Sequence, residues 1–168
     1  MVKNGKKILI INTGGTFNKI YNQLNGNLEI YKKNKSIEKI LIASKIKDVR
    51  VDGIIYKDSL DITSKDRDKL IKYINNSEYK KILIIHGTDT MNNTALHLAH
   101  KINDKQIVLT GAMIPFSIDP IEGTSNLMMG YGFLKNCKKN NIYIAMHGFV
   151  KKYNKIKKNR NLGIFECQ

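Results

Sequence analysis

Ile8-Leu9-Ile10-Ile11-Asn12-Thr13-Gly14-Gly15-Thr16 decides the fold. Its apolar, mostly β-branched run suits a strand buried on both faces, and it breaks at once into a polar turn with two glycines. The same design recurs along the chain. Val49 to Tyr56 runs into Lys57-Asp58-Ser59-Leu60-Asp61, and Ile82 to Ile85 into His86-Gly87-Thr88-Asp89-Thr90. Ile107 to Leu109 runs into Thr110-Gly111-Ala112-Met113, and Ile142 to Met146 into His147-Gly148. Between these runs lie stretches with helical spacing: Ile37, Ile40 and Leu41 after Ser36; Leu70, Ile71 and Ile74 after Thr63; Met91, Ala95, Leu98 and Ile102; Leu127, Met128, Tyr131 and Leu134. Strand-helix alternation with connections of this length predicts βαβ units. The expected fold is α/β, a doubly wound, mostly parallel sheet of about five strands flanked by helices, with residues 1–168 as a single domain. The polar, Asn-rich segment Asn18 to Lys35, with Gly26, is expected to be a mobile loop or lid.

In an open parallel sheet the carboxyl ends of the strands share one edge, and ligands bind in the crevice there. All five polar loops follow strands, so they are expected to converge on that edge. Thr13-Gly14-Gly15-Thr16 is compatible with a phosphate cradle, a tight turn, or an exposed threonine nucleophile. It has neither the Gly-Lys-Ser/Thr of a P-loop nor a G-x-G-x-x-G, which weighs against nucleotide binding. Thr88 and Asp89 are compatible with N-capping of the helix that begins near Met91. They also offer a hydroxyl and a carboxylate that a lysine could complete into a proton relay, with nucleophile, base and orienter in sequence.

Composition bounds the rest. The 168 residues are 42% hydrophobic and 26% charged, the balance of a globular domain of ordinary size. No apolar run approaches the roughly 20 residues of a membrane helix, and the N-terminus leads into a strand rather than a signal peptide's apolar region, so a cytoplasmic protein with no membrane association is expected. Cys137 and Cys167 are expected to be free thiols. His97 and His100 lack a third ligand at metal spacing and read as a surface pair; no metal is expected. His86 and His147 read as packing and hydrogen-bonding residues. The formal charge of +15 raises a nucleic-acid reading, but Arg50, Arg67 and Arg160 are the only arginines and the lysines spread along the whole chain. That pattern fits compositional drift, with the stretch Lys151 to Arg160 as the one locally dense cationic segment, and nucleic acid is not expected as a partner.

Thr13-Gly14-Gly15-Thr16, Asp58-Ser59, His86-Gly87-Thr88-Asp89-Thr90-Met91 and Leu109-Thr110-Gly111-Ala112-Met113, in this order and at these separations, resemble the N-terminal domain of the bacterial L-asparaginases. The resemblance runs from about Lys7 to Glu166. It implies hydrolysis of asparagine, and sometimes glutamine, through an acyl-enzyme on threonine, with no cofactor. By motif match it implies Thr16 as the nucleophile, Ser59 as the holder of the substrate α-carboxylate, and Thr88 with Asp89 as the second threonine and its acidic neighbour, which also grips the α-ammonium. Asp58, Gly15, Gly87 and Ala112 fall in the same motifs and are implied to line the substrate site. The family's lysine maps to Ile156-Lys157-Lys158-Asn159, with Lys158 preferred over Lys157. A loop tyrosine maps to Tyr21, with Tyr31 as the alternative.

Typical members continue into a second domain, whereas this sequence stops at Gln168 and looks like a short, single-domain branch. A homo-oligomer, dimer or tetramer, is expected, with Met128 to Phe133 as part of its interface. Two rival readings stand beside the hydrolase. One is the ammonia-releasing component of a tRNA-dependent amidotransferase, and the other a catalytically silent module that binds amino acids in the same pocket.

Overall fold

A computed structural model describes residues 8–168. Its central sheet is built from β1 (Ile8–Gly14), β4 (Val49–Lys57), β5 (Lys81–Ile85), β6 (Gln106–Thr110), β7 (Asn141–Met146) and β8 (Phe149–Lys152). The spatial order is β4-β1-β5-β6-β7-β8, and every neighbouring pair is parallel except β7 with β8. Strands β1, β5, β6 and β7 are almost wholly buried because helices cover both faces, whereas β4, at the edge, buries only Val49 and Ile55. Helix α1 (Lys35–Ala43) and α4 (Pro120–Asn136) place Ile37, Ile40, Leu41, Leu127 and Leu134 against one face. Helix α2 (Ser64–Asn75) and α3 (Met91–Ala99) place Leu70, Ile71, Ile74, Ala95 and Leu98 against the other. The sheet is thus doubly wound, with six strands rather than about five.

The helix starts follow local chemistry. Thr63 and Asp66 form a reciprocal capping box on α2. Asp119 accepts from the Ile121 N–H ahead of Pro120, which needs no donor at the first turn of α4. Helix α3 has no side-chain cap: its N-cap position is Thr90, so neither Thr88 nor Asp89 serves there.

Two segments carry more order than their composition suggests. Within the Asn18 to Lys35 stretch, β2 (Lys19–Tyr21) and β3 (Leu28–Ile30) pair as an antiparallel hairpin. Asn22 closes its turn: its carbonyl accepts from Gly26 and its side chain accepts from Leu24. The cationic C-terminal stretch becomes β8, then an antiparallel pair of β9 (Ile156–Asn159) and β10 (Ile164–Cys167). His147 and Gly148, with φ of 50° and 86°, form the two-residue turn that sends β8 back along β7. Met128, Met129, Tyr131 and Phe133 are half-buried against the α1/α4 core. No helix among the described residues is long and apolar enough to cross a membrane.

Candidate active site

Strand order reverses between β1 and β5, because β4 lies on one side of β1 and all later strands on the other. That reversal opens a crevice at the carboxyl ends of β1 and β5. Gly14 and Gly15 leave β1 with φ of 96° and 74°, a region that favours glycine. Space demands glycine as well: a Cβ at Gly15 would lie 2.4 Å from the nitrogen and Cα of Gly87, and one at Gly87 would lie 2.6 Å from Ser59 Cβ. The loops after β1, β4 and β5 are therefore in van der Waals contact. The Thr13 hydroxyl donates to the Ile85 carbonyl at 2.8 Å and the Gly15 N–H to the Lys57 carbonyl at 2.9 Å, which ties the three together. Thr16 opens a 3₁₀ turn over Thr16–Asn18, half-buried, directly ahead of the buried Phe17. Among the described residues its hydroxyl has no hydrogen-bond partner.

Lys158 reaches this crevice from β9. Its Nζ donates to Thr88 Oγ1 at 2.9 Å and to Asp89 Oδ1 at 2.8 Å, and its side chain is only 13% exposed. The β9 register explains which lysine does so. Alternate residues of a strand face the same way, so Lys158 shares the inward face with buried Ile156 while Lys157 is exposed. Arg160 adds a second cation, 3.9 Å from Asp89 Oδ1, and donates to the Asp89 carbonyl at 3.3 Å.

Other residues singled out from the sequence have mixed placements. Ser59 is buried beside Gly87, and its carbonyl accepts from the Thr90 hydroxyl at 2.7 Å. Asp58 accepts from the Leu60 N–H and pairs with Lys19 at 2.8 Å. Burial alone would raise the Asp58 carboxyl, but the Lys19 ammonium and the Leu60 N–H outweigh it and hold it below the usual range. Ala112 is fully buried after β6. Tyr21 is not drawn into the cluster: it is 59% exposed on β2, with its hydroxyl over the hairpin turn at Gly26. Tyr31 stands under the Lys35 ammonium and lines a 460 Å³ groove with Ile20 and Phe116. Among the described residues no three His, Cys, Asp or Glu side chains cluster as metal ligands would.

Sequence reasoning missed the supports of the site's far side. Buried Asn126 donates to the Gly111 carbonyl at 3.0 Å and accepts from the His147 N–H at 3.0 Å, so it clasps the loops after β6 and β7. Glu122 accepts from the Met113 and Ile114 N–H groups and from His147 Nε2. The only signal was a polar residue on the apolar face of a helix, at Asn126 between Gly123 and Gly130.

A family model described as "Asparaginase, N-terminal" matches residues 7–164. Among solved structures, the thermostable L-asparaginase from Thermococcus kodakarensis superimposes with a TM-score of 0.80 at 25% identity, over 96% of this chain and 51% of that one. A probable cytoplasmic L-asparaginase from Campylobacter jejuni superimposes with a TM-score of 0.79 at 25% identity, over 96% and 53%. The chain spans about half the length of these structures. No curated protein matches the sequence.

Proposed function

We propose that this chain, which belongs to the asparaginase family by the match over residues 7–164, is an amidohydrolase that converts L-asparagine and water to L-aspartate and ammonia. One observation carries the reading beyond family membership: the Lys158 ammonium lies within 2.9 Å of both Thr88 and Asp89, on the sheet edge that also holds Thr16. A hydroxyl, an amine and a carboxylate in hydrogen-bonded series are the parts needed to move a proton to and from a threonine nucleophile.

In this mechanism Thr16 Oγ attacks the side-chain amide carbon and forms a tetrahedral oxyanion held by backbone N–H groups of the loops. The C–N bond breaks, and the proton lost by the attacking hydroxyl passes through the Thr88–Lys158–Asp89 series to the leaving nitrogen, which departs as ammonia. Water then adds to the Thr16 ester by the reverse path, giving aspartate and the free hydroxyl. Ser59 holds the α-carboxylate and Asp89 the α-ammonium. Gly15 and Gly87 let the loops that carry Thr16, Ser59 and Thr88 close on one another around the substrate.

Ammonia release from L-asparagine by the purified protein tests the proposal. Turnover by the wild type, lost in Thr16→Ala with an unchanged circular dichroism spectrum, supports it. No ammonia from L-asparagine at millimolar concentration, or near-normal rates in Thr16→Ala, would sink it.

A further inference from the structure

His86 takes no part in the reaction as drawn, yet it is fully buried between β5 and α3 and every polar atom of its ring is engaged. The Gly87 end of this chain of hydrogen bonds fixes their direction, and the Arg67 end is compatible with it. Arg67 can only donate, and its Nε lies 2.9 Å from Thr94 Oγ1. The Thr94 hydroxyl therefore accepts from Arg67, which leaves its proton free to be donated to His86 Nε2, 2.8 Å away. With Nε2 an acceptor, the neutral ring carries its proton on Nδ1, and Nδ1–H points at the Gly87 carbonyl, 2.7 Å away. A carbonyl only accepts, so the Gly87 end requires this tautomer, and the Thr94 hydroxyl can donate to the Nε2 lone pair it leaves. Burial of the ring keeps it neutral, holding its pKa down at about 4, with a further lowering by the Arg67 charge.

What the bond holds is the peptide that leads into Thr88. The Gly87 carbonyl is buried, and among the described residues it has no backbone partner. All described peptide bonds are trans, so with the Gly87 carbonyl turned to His86 the Thr88 N–H faces the opposite way. That N–H likewise has no backbone partner among the described residues, which leaves it available to a ligand in the crevice. The ring's own main chain is pinned as well: the His86 N–H donates to the Thr110 carbonyl at 2.8 Å. A leucine could fill much of the ring's volume, but it could not hold the carbonyl.

We propose that His86 is a positioning residue, which through its Nδ1–H fixes the Gly87–Thr88 peptide and so aims the Thr88 N–H and side chain at the substrate, with the Thr94 hydroxyl satisfying its Nε2. The inference rests on the amidohydrolase reading above for the identity of that substrate. Misplacement of a reacting group by about 1 Å can cost 10²-fold in rate, which sets the scale of the effect.

The test compares ammonia release by the wild type, His86→Asn, His86→Gln and His86→Leu. Asparagine places an N–H near the Nδ1 position, whereas the longer glutamine places it near Nε2. His86→Asn is expected to keep kcat within about tenfold of wild type, while His86→Gln and His86→Leu lose roughly 10²-fold in kcat with KM changed by less than about threefold. Equal losses in Asn and Gln, or full kcat in a folded His86→Leu, would overturn the role. Thr94→Val supplies a second line that leaves His86 in place. Nitrogen-15 spectra of the imidazole should show Nδ1–H alone between about pH 5 and pH 8 in the wild type and, because the Gly87 carbonyl remains, in Thr94→Val as well. A wild-type ring protonated on Nε2 overturns the inference whether or not the protein is active. Absence of turnover in the wild type removes the amidohydrolase reading instead, and the tautomer measurement still decides the part played by His86.

Discussion

At the scale of single residues, the site depends on which of two adjacent lysines faces inward. Lys157 and Lys158 are chemically identical, and the sequence alone ranks them only by family resemblance. The strand supplies the distinction, because Ile156 is buried and side chains alternate along β9. Lys158→Met is expected to lower kcat by about 10²- to 10⁴-fold, the usual range for a general acid-base group, while Lys157→Met stays near wild type. Initial rates of ammonia release from both variants check this, and the reverse ranking would move the proton relay to Lys157. The same logic makes Gly15 and Gly87 legible only in part. A Thr-Gly-Gly-Thr turn after a strand announces an unusual backbone, but it does not reveal that the second crowding partner is a glycine more than seventy residues away.

At the scale of elements, the hairpin that carries Lys158 is fastened to the sheet at few points. Asn92 on α3 donates to the carbonyls of Tyr153 and Ile156 at 2.9 and 2.7 Å, the Phe165 N–H donates to His147 Nδ1 at 3.0 Å, and Ile156 and Phe165 supply the buried apolar contact. Asn92→Ala removes the donor for two carbonyls at once and is expected to cost about 1–3 kcal/mol. Thermal unfolding measures that loss, and protease cleavage between residues 153 and 164 should appear before global unfolding. Unchanged cleavage in Asn92→Ala would mean that the apolar contacts alone hold the hairpin. This part of the fold was the least legible. The four buried strands β1, β5, β6 and β7 announce themselves through apolar runs, since both their faces meet helices, and edge strand β4 through its β-branched residues. Strands β8, β9 and β10 each bury one side chain or none, so they read as a cationic tail. One signal was present: His-Gly at 147 and 148 is a residue pair that tolerates the positive φ of a tight hairpin. Hairpin β2-β3 hid for the same reason, as its six strand residues are exposed or half-buried and its order comes from asparagine side chains binding nearby backbone.

At the scale of the whole molecule, protons and salt act through different groups. His86 has a folded pKa of about 4 against an ordinary 6.5, so between those values the unfolded chain binds more protons. Stability is therefore full above about pH 6.5 and falls as acid is added, by roughly 2 kcal/mol near pH 5 at about 1.4 kcal/mol per unit. Asp66 acts lower: burial would raise it, but Lys57 and the N–H and hydroxyl of Thr63 bring it down from 3.8 to about 2, so its contribution is present above 3.8 and lost toward 2. Melting temperature from pH 8 down to about pH 5 should decline in the wild type and stay flatter in His86→Asn; parallel curves would remove His86 as the source. Salt concerns the formal charge of +15. All three arginines already have internal partners, Arg50 on Asp52, Arg67 on Thr94 and Arg160 on Asp89. Most of the aspartates are likewise paired, which leaves solvated lysines as the free positive charge, including Lys151 and Lys152 on edge strand β8, where charge discourages pairing with another sheet. Lysines without arginine or stacking partners attract polyanions through counterion release alone, and such binding weakens steeply with salt. Binding of tRNA is therefore expected to be independent of sequence and lost by about 0.2 M salt, with ammonia release from asparagine unaffected by added tRNA. Filter binding across a salt series measures the first and the ammonia assay the second. Binding that survives 0.2 M salt, or turnover that needs tRNA, would instead favour an amidotransferase component whose nucleic-acid contacts are built from the lysines.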